Sequence, residues 1–279
     1  MAPKPGITFT KMQGNGNDFI ILDNRNRKLS PDDLRKAAVS LCRRRLSIGA
    51  DGLMALEPGD SGHFRMRLFN RDGSEGEMCG NGARCLARYA FERDIAPSPM
   101  TIETLAGPII AEVTPPEATL DMGSVTATSI LRGEVFPWGD EEEIYSQLTV
   151  GVPHTVVFLK PGDERTREDL APLAMAIQAD AERFPQGTNV NFLRVSGKNS
   201  LELFTWERGV NDYTLSCGTG STAGALAAWI ENLVEQPVEV KNPGGVNTVL
   251  IEPRDDGFNL FLRGRTTFVA EGTVLRDAS

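Results

Sequence analysis

The chain has 279 residues, enough for one large domain or two domains of about 140 residues each. Its hydrophobic content of 40% is that of a soluble globular protein, and its net charge of −9 disfavours nonspecific nucleic-acid binding. No apolar run reaches the roughly 20 residues of a membrane span, and residues 1–6 lack the apolar core of a signal peptide. We therefore expect a cytoplasmic protein with reduced thiols and with neither a membrane nor a nucleic-acid partner.

Two helices and a set of strands are predicted in the first half of the chain. Ser30-Pro31-Asp32-Asp33 has the pattern of an N-cap followed by a proline and acidic residues in a first helical turn. We therefore expect a helix over residues 31–45, and another from Cys79 to about Arg93. Apolar alternation and turn residues predict strands over residues 7–12, 18–24, 52–57, 64–70, 100–104, 108–114 and 118–121.

The same pattern restarts in the second half. Helices are expected over residues 164–180 and from Cys217 to about Leu233. Strands are predicted over residues 147–150, 155–160, 190–196, 200–206, 237–241, 247–252 and 258–263. Position 79 maps onto position 217 with an offset of 138, and Gly107 maps onto Gly245 at the same offset. This repeat predicts two similar α/β units, in each of which a sheet wraps one central helix.

The repeat also predicts where the chain divides. We place the first half at residues 1–122 and the second at residues 123–265, with Asp121-Met122-Gly123-Ser124 as the hinge. The strand-like segment from Thr266 to Leu275 remains after the second half. We expect residues 266–279 to return to the first half and complete it.

Two cysteines each open the same short phrase, once in each half. Met78-Cys79-Gly80-Asn81-Gly82 and Ser216-Cys217-Gly218-Thr219-Gly220 both place a thiol at the start of a small-residue helix. The partial positive charge and the unbonded N–H groups of a helix N-terminus favour a thiolate, and the same N–H groups can bind a carboxylate. Paired thiols can remove a proton from one face of a carbon and return one to the other face. The pair therefore indicates a cofactor-independent amino-acid racemase or epimerase.

An alternative interpretation is that these are ordinary buried cysteines, since free cysteine is among the most buried residue types. We expect that structural role for the other two cysteines, Cys42 and Cys85. The sequence contains no Cys-x-x-Cys and only two histidines, His63 and His154, so a zinc site of ordinary spacing is not expected.

Several polar residues are candidates for ligand binding, although each also has a structural interpretation. Asn17 ends the turn Gly14-Asn15-Gly16-Asn17, and Asn70 ends a strand shortly before Cys79. His154 precedes an apolar strand, and Asn189 precedes another. The adjacent Glu207 and Arg208 lie about ten residues before Cys217. They form either a solvated charge pair, or a base and a carboxylate clamp beside a nucleophile.

Taken together, these segments resemble the diaminopimelate epimerase family. The segments that carry the resemblance are residues 12–19 (MQGNGNDF), 49–52 (GADG), 69–70 (FN), 78–85 (MCGNGARC), 153–154 (PH), 188–190 (TNV), 207–209 (ERG) and 217–220 (CGTG). The resemblance implies an α/β (α+β) fold of two pseudo-symmetric halves, each a β-barrel-like sheet around a central helix. It also implies a homodimer that uses neither pyridoxal phosphate nor a metal.

The resemblance further implies residue roles. Cys79 and Cys217 would be the thiolate base and the thiol acid, with His154 and Glu207 assisting at the reacting centre. Gly80-Asn81 and Gly218-Thr219 would bind the reacting α-carboxylate through helix-terminal N–H groups. The distal end of the substrate would be held by Asn17, Asn70, Asn189 and Arg208.

These roles predict conversion of LL- to meso-2,6-diaminopimelate, in lysine and peptidoglycan precursor synthesis, by 1,1-proton transfer between two thiols. Racemisation of another amino acid, such as proline or hydroxyproline, is the alternative within the isomerases, although such a substrate would leave Arg208 and the asparagines without a polar partner. A thiol oxidoreductase that uses Cys79 and Cys217 as a redox pair, or a binding protein without catalysis, are alternatives from other classes.

Overall fold

The computed structural model describes residues 6–275 as a mixed α/β protein. Residues 1–5, to which the signal-peptide expectation mostly refers, and residues 276–279, the end of the predicted return segment, lie outside the described residues. Across residues 6–275, no helix has both the length and the apolar character that crossing a membrane would require.

Four α-helices, one short 3-10 helix and eighteen strands make up the described part of the chain. The helices are α1 (Pro31–Leu41), α2 (Gly80–Glu92), α3 (Arg167–Ala179) and α4 (Gly218–Ile230), and the 3-10 helix is Ala127–Ser129. The strands are β1 (Thr8–Gly14), β2 (Asn17–Asp23), β3 (Gly52–Pro58), β4 (Phe64–Asn70), β5 (Glu75–Gly76), β6 (Met100–Thr104), β7 (Gly107–Thr114), β8 (Glu117–Thr126), β9 (Leu131–Trp138), β10 (Glu141–Val150), β11 (Val152–Phe158), β12 (Asn189–Gly197), β13 (Ser200–Glu207), β14 (Asp212–Tyr213), β15 (Val238–Asn242), β16 (Gly245–Arg254), β17 (Gly257–Arg265) and β18 (Thr267–Thr273).

The chain divides into two compact units. Among the described residues, the first contains residues 6–120 and 264–275, and the second is Asp121–Arg263. In the first unit, β1 pairs antiparallel with β2 and with β18. Strand β2 pairs parallel with β3, and β4 pairs parallel with β6. Helices α1 and α2 lie in the two crossover connections, as parallel pairing requires.

The second unit has the same internal order. Strand β10 pairs antiparallel with β9 and β11, while β11–β12 and β13–β15 are parallel pairs connected through α3 and α4. Strand β9 occupies the place in this unit that β18 occupies in the first. The predicted α/β fold with two repeated halves is therefore confirmed, and the strand predicted at the end of the chain is present as β18.

Helix α4 forms the centre of the second unit because small residues let strands approach it from several sides. Its residues Gly220–Ala228 are all buried. The alanines pack with apolar residues of β10, β11, β12, β13, β15, β16 and β17 in one core cluster. Packing is so close at Gly224 that an added Cβ would lie 2.9 Å from Leu203 Cδ1. Helix α2 is equally buried in the first unit, from Asn81 to Ala87.

The predicted helix over residues 31–45 is shorter in the structure and ends at Leu41. The N–H groups of Gly49 and Ala50 donate to the carbonyls of Leu41 and Cys42, and so satisfy groups that a longer helix would have used. Arg45 adopts a left-handed conformation with φ of 70°, which a continuing helix does not permit. Helix α4 ends before the predicted Leu233 for a related reason, since Asn232 has φ of 57°.

Strand β9 and the first half of β10 were absent from the prediction. Most side chains of β9 are exposed, and Pro137 lies within it, so the alternation that marks a half-buried strand is missing. The two-residue strands β5 and β14 are too short to carry a pattern. The predicted hinge at 121–124 lies inside the continuous strand β8, in which Gly123 has φ of 81°.

The central position of α4 predicts a large cost for shortening its core side chains. Leu226 is fully buried in the α4 cluster, so Leu226→Ala should lower the free energy of unfolding by about 2–5 kcal/mol through lost contacts and a residual cavity. Leu233→Ala is the control, because Leu233 is 44% exposed and should change stability by less than about 0.5 kcal/mol. Urea unfolding followed by circular dichroism measures both. Equal effects would contradict a central role for α4.

Candidate active site

Cys79 caps the N-terminus of α2. Its backbone is extended, with φ of −142° and ψ of 120°, as is typical of the residue before a helix. The side chain is half-buried, and Sγ lies 3.4 Å from Asn17 Oδ1, to which the thiol donates a hydrogen bond. The structure therefore brings two predicted site residues, Cys79 and Asn17, into contact.

A carboxylate orients the Asn17 amide. Asn17 Nδ2 donates to Asp51 Oδ2 at 2.8 Å, so Oδ1 is left to face the thiol. Asp51 is held in turn by Arg44 at 2.9 Å, and Arg44 also donates to Asp18 at 2.6 Å. Burial raises the pKa of Asp18, but hydrogen bonds from Arg44 and Lys11 outweigh that effect and lower it. Asp51 was recognised only as part of the segment Gly49-Ala50-Asp51-Gly52, and its role as the support of Asn17 is a finding of the structure.

A fully buried arginine lies one turn into the helix that Cys79 caps. Arg84 Nη2 donates to Asn81 Oδ1 at 2.7 Å, and Asn81 Nδ2 lies 3.5 Å from Asn17 Oδ1. Burial lowers the pKa of Arg84. Within residues 6–275, Arg84 Nε and Nη1 have no hydrogen-bond partner. Sequence reasoning missed Arg84, although a charged residue among glycines and alanines of a buried helix was a signal that could have found it.

Asn70, predicted to hold the substrate's distal end, lies in a tight turn at the end of β4. Its Nδ2 donates to Ser74 Oγ at 2.9 Å, its N–H donates to the Ser74 carbonyl, and its side chain is exposed. The turn explains Asn70 structurally.

Cys217 caps α4 as Cys79 caps α2. Its backbone is extended, Gly220 N–H donates to Sγ at 3.4 Å, and Thr219 Oγ1 also lies 3.4 Å from Sγ. The sequence predicted a lowered thiol pKa at this position. The structure shows the reverse, because burial, followed by the negative charge of Glu207, raises the pKa of Cys217 to about 12. The hydrogen bonds from Thr219 and Gly220 favour the thiolate but are outweighed, so Cys217 rests as a neutral thiol.

Glu207 is the carboxylate next to this thiol. It ends β13, and a hydrogen bond between Glu207 and the thiol contributes to the raised pKa of Cys217. Thr214 Oγ1 donates to Glu207 Oε1 at 2.8 Å and so orients the carboxylate. Cys217, Glu207 and Thr219 therefore form one cluster in which a thiol proton can pass to a carboxylate oxygen.

His154 is fully buried in β11, where its ring contacts a neighbouring strand. Nδ1 lies 3.0 Å from Asn191 Nδ2 of β12. Burial lowers the pKa of His154 to about 3, so the imidazole is neutral. The sequence analysis did not single out Asn191, although an asparagine two residues after Asn189 in an apolar strand was a signal that could have found it.

Asn189 and Arg208 are linked through the backbone. Asn189 Oδ1 accepts from the Arg208 N–H at 2.9 Å, while the exposed Arg208 side chain donates to the Gln186 carbonyl. Gly187 has φ of 67°, and a Cβ there would lie 2.8 Å from Arg208 Cδ, so this turn needs glycine for both reasons. The guanidinium is thus held at the surface of the second unit.

The described residues gather no group of three or more His, Cys, Asp or Glu side chains that could hold a metal ion. Cys42 and Cys85 are fully buried, and burial raises the pKa of each to about 12. Burial alone therefore does not separate Cys217 from these cysteines. The neighbouring Glu207 and the position at a helix N-terminus do separate it.

Known proteins match this chain over nearly its whole length. The family model described as diaminopimelate epimerase matches residues 9–128 and 147–269. A diaminopimelate epimerase of Caldanaerobacter subterraneus subsp. tengcongensis is 36% identical, with 96% of this chain and 99% of that protein covered. A diaminopimelate epimerase of Aquifex aeolicus is 37% identical, with 97% of this chain and 99% of that protein covered.

Solved structures share the fold at low sequence identity. A Bacillus anthracis phenazine biosynthesis protein of the PhzF family has a TM-score of 0.70 and 16% identity, over 98% of this chain and all of that one. A hydroxyproline epimerase from Agrobacterium vitis has a TM-score of 0.67 and 16% identity, over 97% of this chain and 91% of that one. These two likenesses concern the fold alone. The family match and the relatives at 36–37% identity decide the assignment: the chain belongs to the diaminopimelate epimerase family.

Proposed function

We propose that this protein is an isomerase that interconverts LL- and meso-2,6-diaminopimelate by transferring protons at one α-carbon. The observation that carries the proposal is the repeated placement of a cysteine. This chain belongs to the diaminopimelate epimerase family, and its two units have the same strand order. Helix α2 in the first unit corresponds to helix α4 in the second, and a cysteine caps the start of each. The reaction would supply precursors of lysine and peptidoglycan, in the cytoplasm, and the active protein would be a homodimer.

In the proposed mechanism, a thiolate on one cysteine takes the α-proton as the C–H bond breaks, and the thiol of the other cysteine gives a proton to the opposite face. Cys79 and Cys217 exchange these roles with the direction of reaction. The N–H groups at Gly80-Asn81 and Gly218-Thr219 would bind the α-carboxylate and stabilise the negative charge that develops beside it. No metal or organic cofactor is required for this scheme.

Glu207 would accept the proton of Cys217 when that cysteine acts as the base. A thiol with a pKa of about 12 is almost entirely protonated at neutral pH, so it needs an acceptor within reach. His154 would assist at the reacting centre, and Asn17, Asn70, Asn189 and Arg208 would hold the distal end of the substrate. Such distal contacts would distinguish diaminopimelate from an amino acid without a second polar end.

The proposal is tested by proton exchange. Wild-type protein incubated with LL-diaminopimelate in D2O, under reducing conditions and without added cofactor, should yield meso product that carries deuterium at the α-carbon. Mass spectrometry and chiral chromatography measure both. If folded protein with reduced thiols incorporates no deuterium into diaminopimelate but does so with proline or hydroxyproline, the substrate assignment is wrong and the alternative within the isomerases replaces it.

Removing either thiol should stop this exchange. Cys79→Ala and Cys217→Ala should each lower kcat/KM by at least about 1000-fold, because each direction of reaction needs both a base and an acid. Cys42→Ala is the matched control, since Cys42 is buried among apolar side chains that include Leu34 and Leu41 of α1, and its kcat/KM should stay close to wild type. Near-wild-type rates in either of the first two variants would rule out the two-thiol mechanism.

The carboxylate beside Cys217 gives a test with two opposite readouts. Glu207→Gln should lower kcat/KM by about 100-fold or more, because the thiol loses its proton acceptor. The same change removes a negative charge that raises the pKa of Cys217. That pKa should fall, and iodoacetamide labelling of Cys217 at a fixed pH should become faster. Glu239→Gln, at an exposed position, should alter neither readout. Slower labelling together with lost turnover would point to structural damage instead.

Arg208 tests the distal contacts. Arg208→Ala should raise KM for diaminopimelate by about tenfold or more, as expected when a charged hydrogen bond is lost. The labelling rate of Cys217 should stay unchanged. Loss of labelling in parallel with the rise in KM would assign Arg208 to the fold rather than to the substrate.

A further inference from the structure

The two ring nitrogens of His154 have different surroundings. Nδ1 lies 3.0 Å from Asn191 Nδ2. Nε2 is also buried, but within the described residues 6–275 it has no hydrogen-bond partner. Since a buried polar atom without a partner costs free energy, Nε2 is expected to find its partner in a bound molecule.

The orientation of the Asn191 amide follows from its other contacts. Oδ1 accepts from the Thr205 hydroxyl at 2.9 Å. Nδ2 lies 3.2 Å from the Thr155 carbonyl and 3.3 Å from the Asn189 carbonyl, and carbonyl oxygens only accept. Rotating the amide by half a turn would set its oxygen against two carbonyl oxygens and lose both bonds. The nitrogen of Asn191 therefore faces His154.

An amide NH2 group can only donate, so Nδ1 of His154 must present its lone pair to Asn191. We propose that Asn191 is a positioning residue that holds His154 as the neutral Nε2–H tautomer, so that His154 donates a hydrogen bond during the reaction and does not take the proton of a thiol. The tautomer follows from the geometry of the second unit alone, whereas its part in catalysis rests on the proposed epimerase function.

A proton-accepting role for His154 would conflict with these contacts. To accept at Nε2, the ring would need its existing proton on Nδ1, where it would point at the Asn191 NH2 group. A doubly protonated ring would have the same conflict and would also place a charge in a buried position. Burial already lowers the pKa of His154 to about 3, and Arg208 is a further positive charge that acts against protonation.

Asn191 also connects the histidine to the helix that carries Cys217. A Cβ added at Gly220 would lie 2.5 Å from Asn191 Oδ1 and 2.9 Å from Thr205 Oγ1. The first turn of α4 therefore packs directly on the amide, and the Gly220 N–H donates to Cys217 Sγ. Gly220, the second glycine of the Cys217-Gly218-Thr219-Gly220 phrase, is needed here because any side chain would displace the Asn191 amide that orients His154.

Nuclear magnetic resonance measures the tautomer directly, and the chain is suited to it because it has only two histidines. In protein labelled with ¹⁵N-histidine, two-bond proton–nitrogen correlations show which ring nitrogen carries the proton, and His63→Gln assigns the signals. His154 should have a bare Nδ1 and a protonated Nε2, and should keep them when the pH is lowered through about 6.5, where an ordinary histidine gains a second proton. A protonated Nδ1 in wild-type protein would overturn the inference.

Asn191→Asp tests the function of the tautomer. The carboxylate presents an acceptor to Nδ1, so the proton should move to Nδ1, and kcat should fall by about tenfold or more with a smaller change in KM. Asn199→Asp is the matched control, at an exposed position in the turn between β12 and β13, and should change neither. If Asn191→Asp shifts the proton but keeps wild-type kcat, the catalytic half of the inference is wrong. The wild-type spectrum needs neither turnover nor a variant, so failure of the proposed reaction is distinguishable from failure of the tautomer.

Discussion

The burial of the N-terminus of α4 inside its own sheet determines the protonation of the thiol that caps it. A helix can occupy the centre of a wrapped sheet only if small residues let the strands come close, and α4 is built in that way. Its first turn is consequently removed from water along with the thiol that caps it. The partial charge and N–H groups of the turn favour a thiolate, but desolvation is the larger effect, and Cys217 stays protonated.

A neutral buried thiol is useful as an acid and needs help to act as a base. A carboxylate lies beside this thiol, because Glu207 ends β13 and Thr214 donates a hydrogen bond to it. Under the proposed mechanism, this carboxylate accepts the thiol proton when Cys217 acts as the base. Glu207 thus raises the pKa of Cys217 and is also the group that would accept its proton. The raised pKa is therefore consistent with a functional cysteine.

The two cysteine-capped helices have different neighbours. Cys79 is half-buried and donates to the amide oxygen of Asn17, whose orientation depends on Asp51 and Arg44. Cys217 is nearly enclosed and faces a carboxylate. The hydrogen-bond partner of Cys79 is thus a neutral amide, whereas Cys217 lies beside a carboxylate. The two units therefore share the helix position of the cysteine but differ in the side chains around it.

Much of the fold was predictable from the sequence because its signals are local. The cap that starts α1, the alternation along most strands and the two Cys-Gly-x-Gly phrases each lie in short windows of the chain. Strand β9 escaped prediction because its side chains are exposed and only pairing with β10 makes it a strand. The end of α1 also escaped, since the groups that satisfy its last carbonyls come from Gly49 and Ala50, outside the helix.

The sequence by itself determined the reaction class and the family, because a repeated Cys-Gly-x-Gly at two helix starts is a pattern of neighbours along the chain. Only the tertiary structure decided which of the buried side chains carry a proton and how they are oriented. The raised pKa of Cys217, the lowered pKa of His154 and the orientation of the Asn191 amide depend on desolvation and on partners from other strands. The pKa values and the amide orientation depend on the groups that pack against each side chain. Many of those groups come from segments that are distant along the chain and meet only when the chain folds.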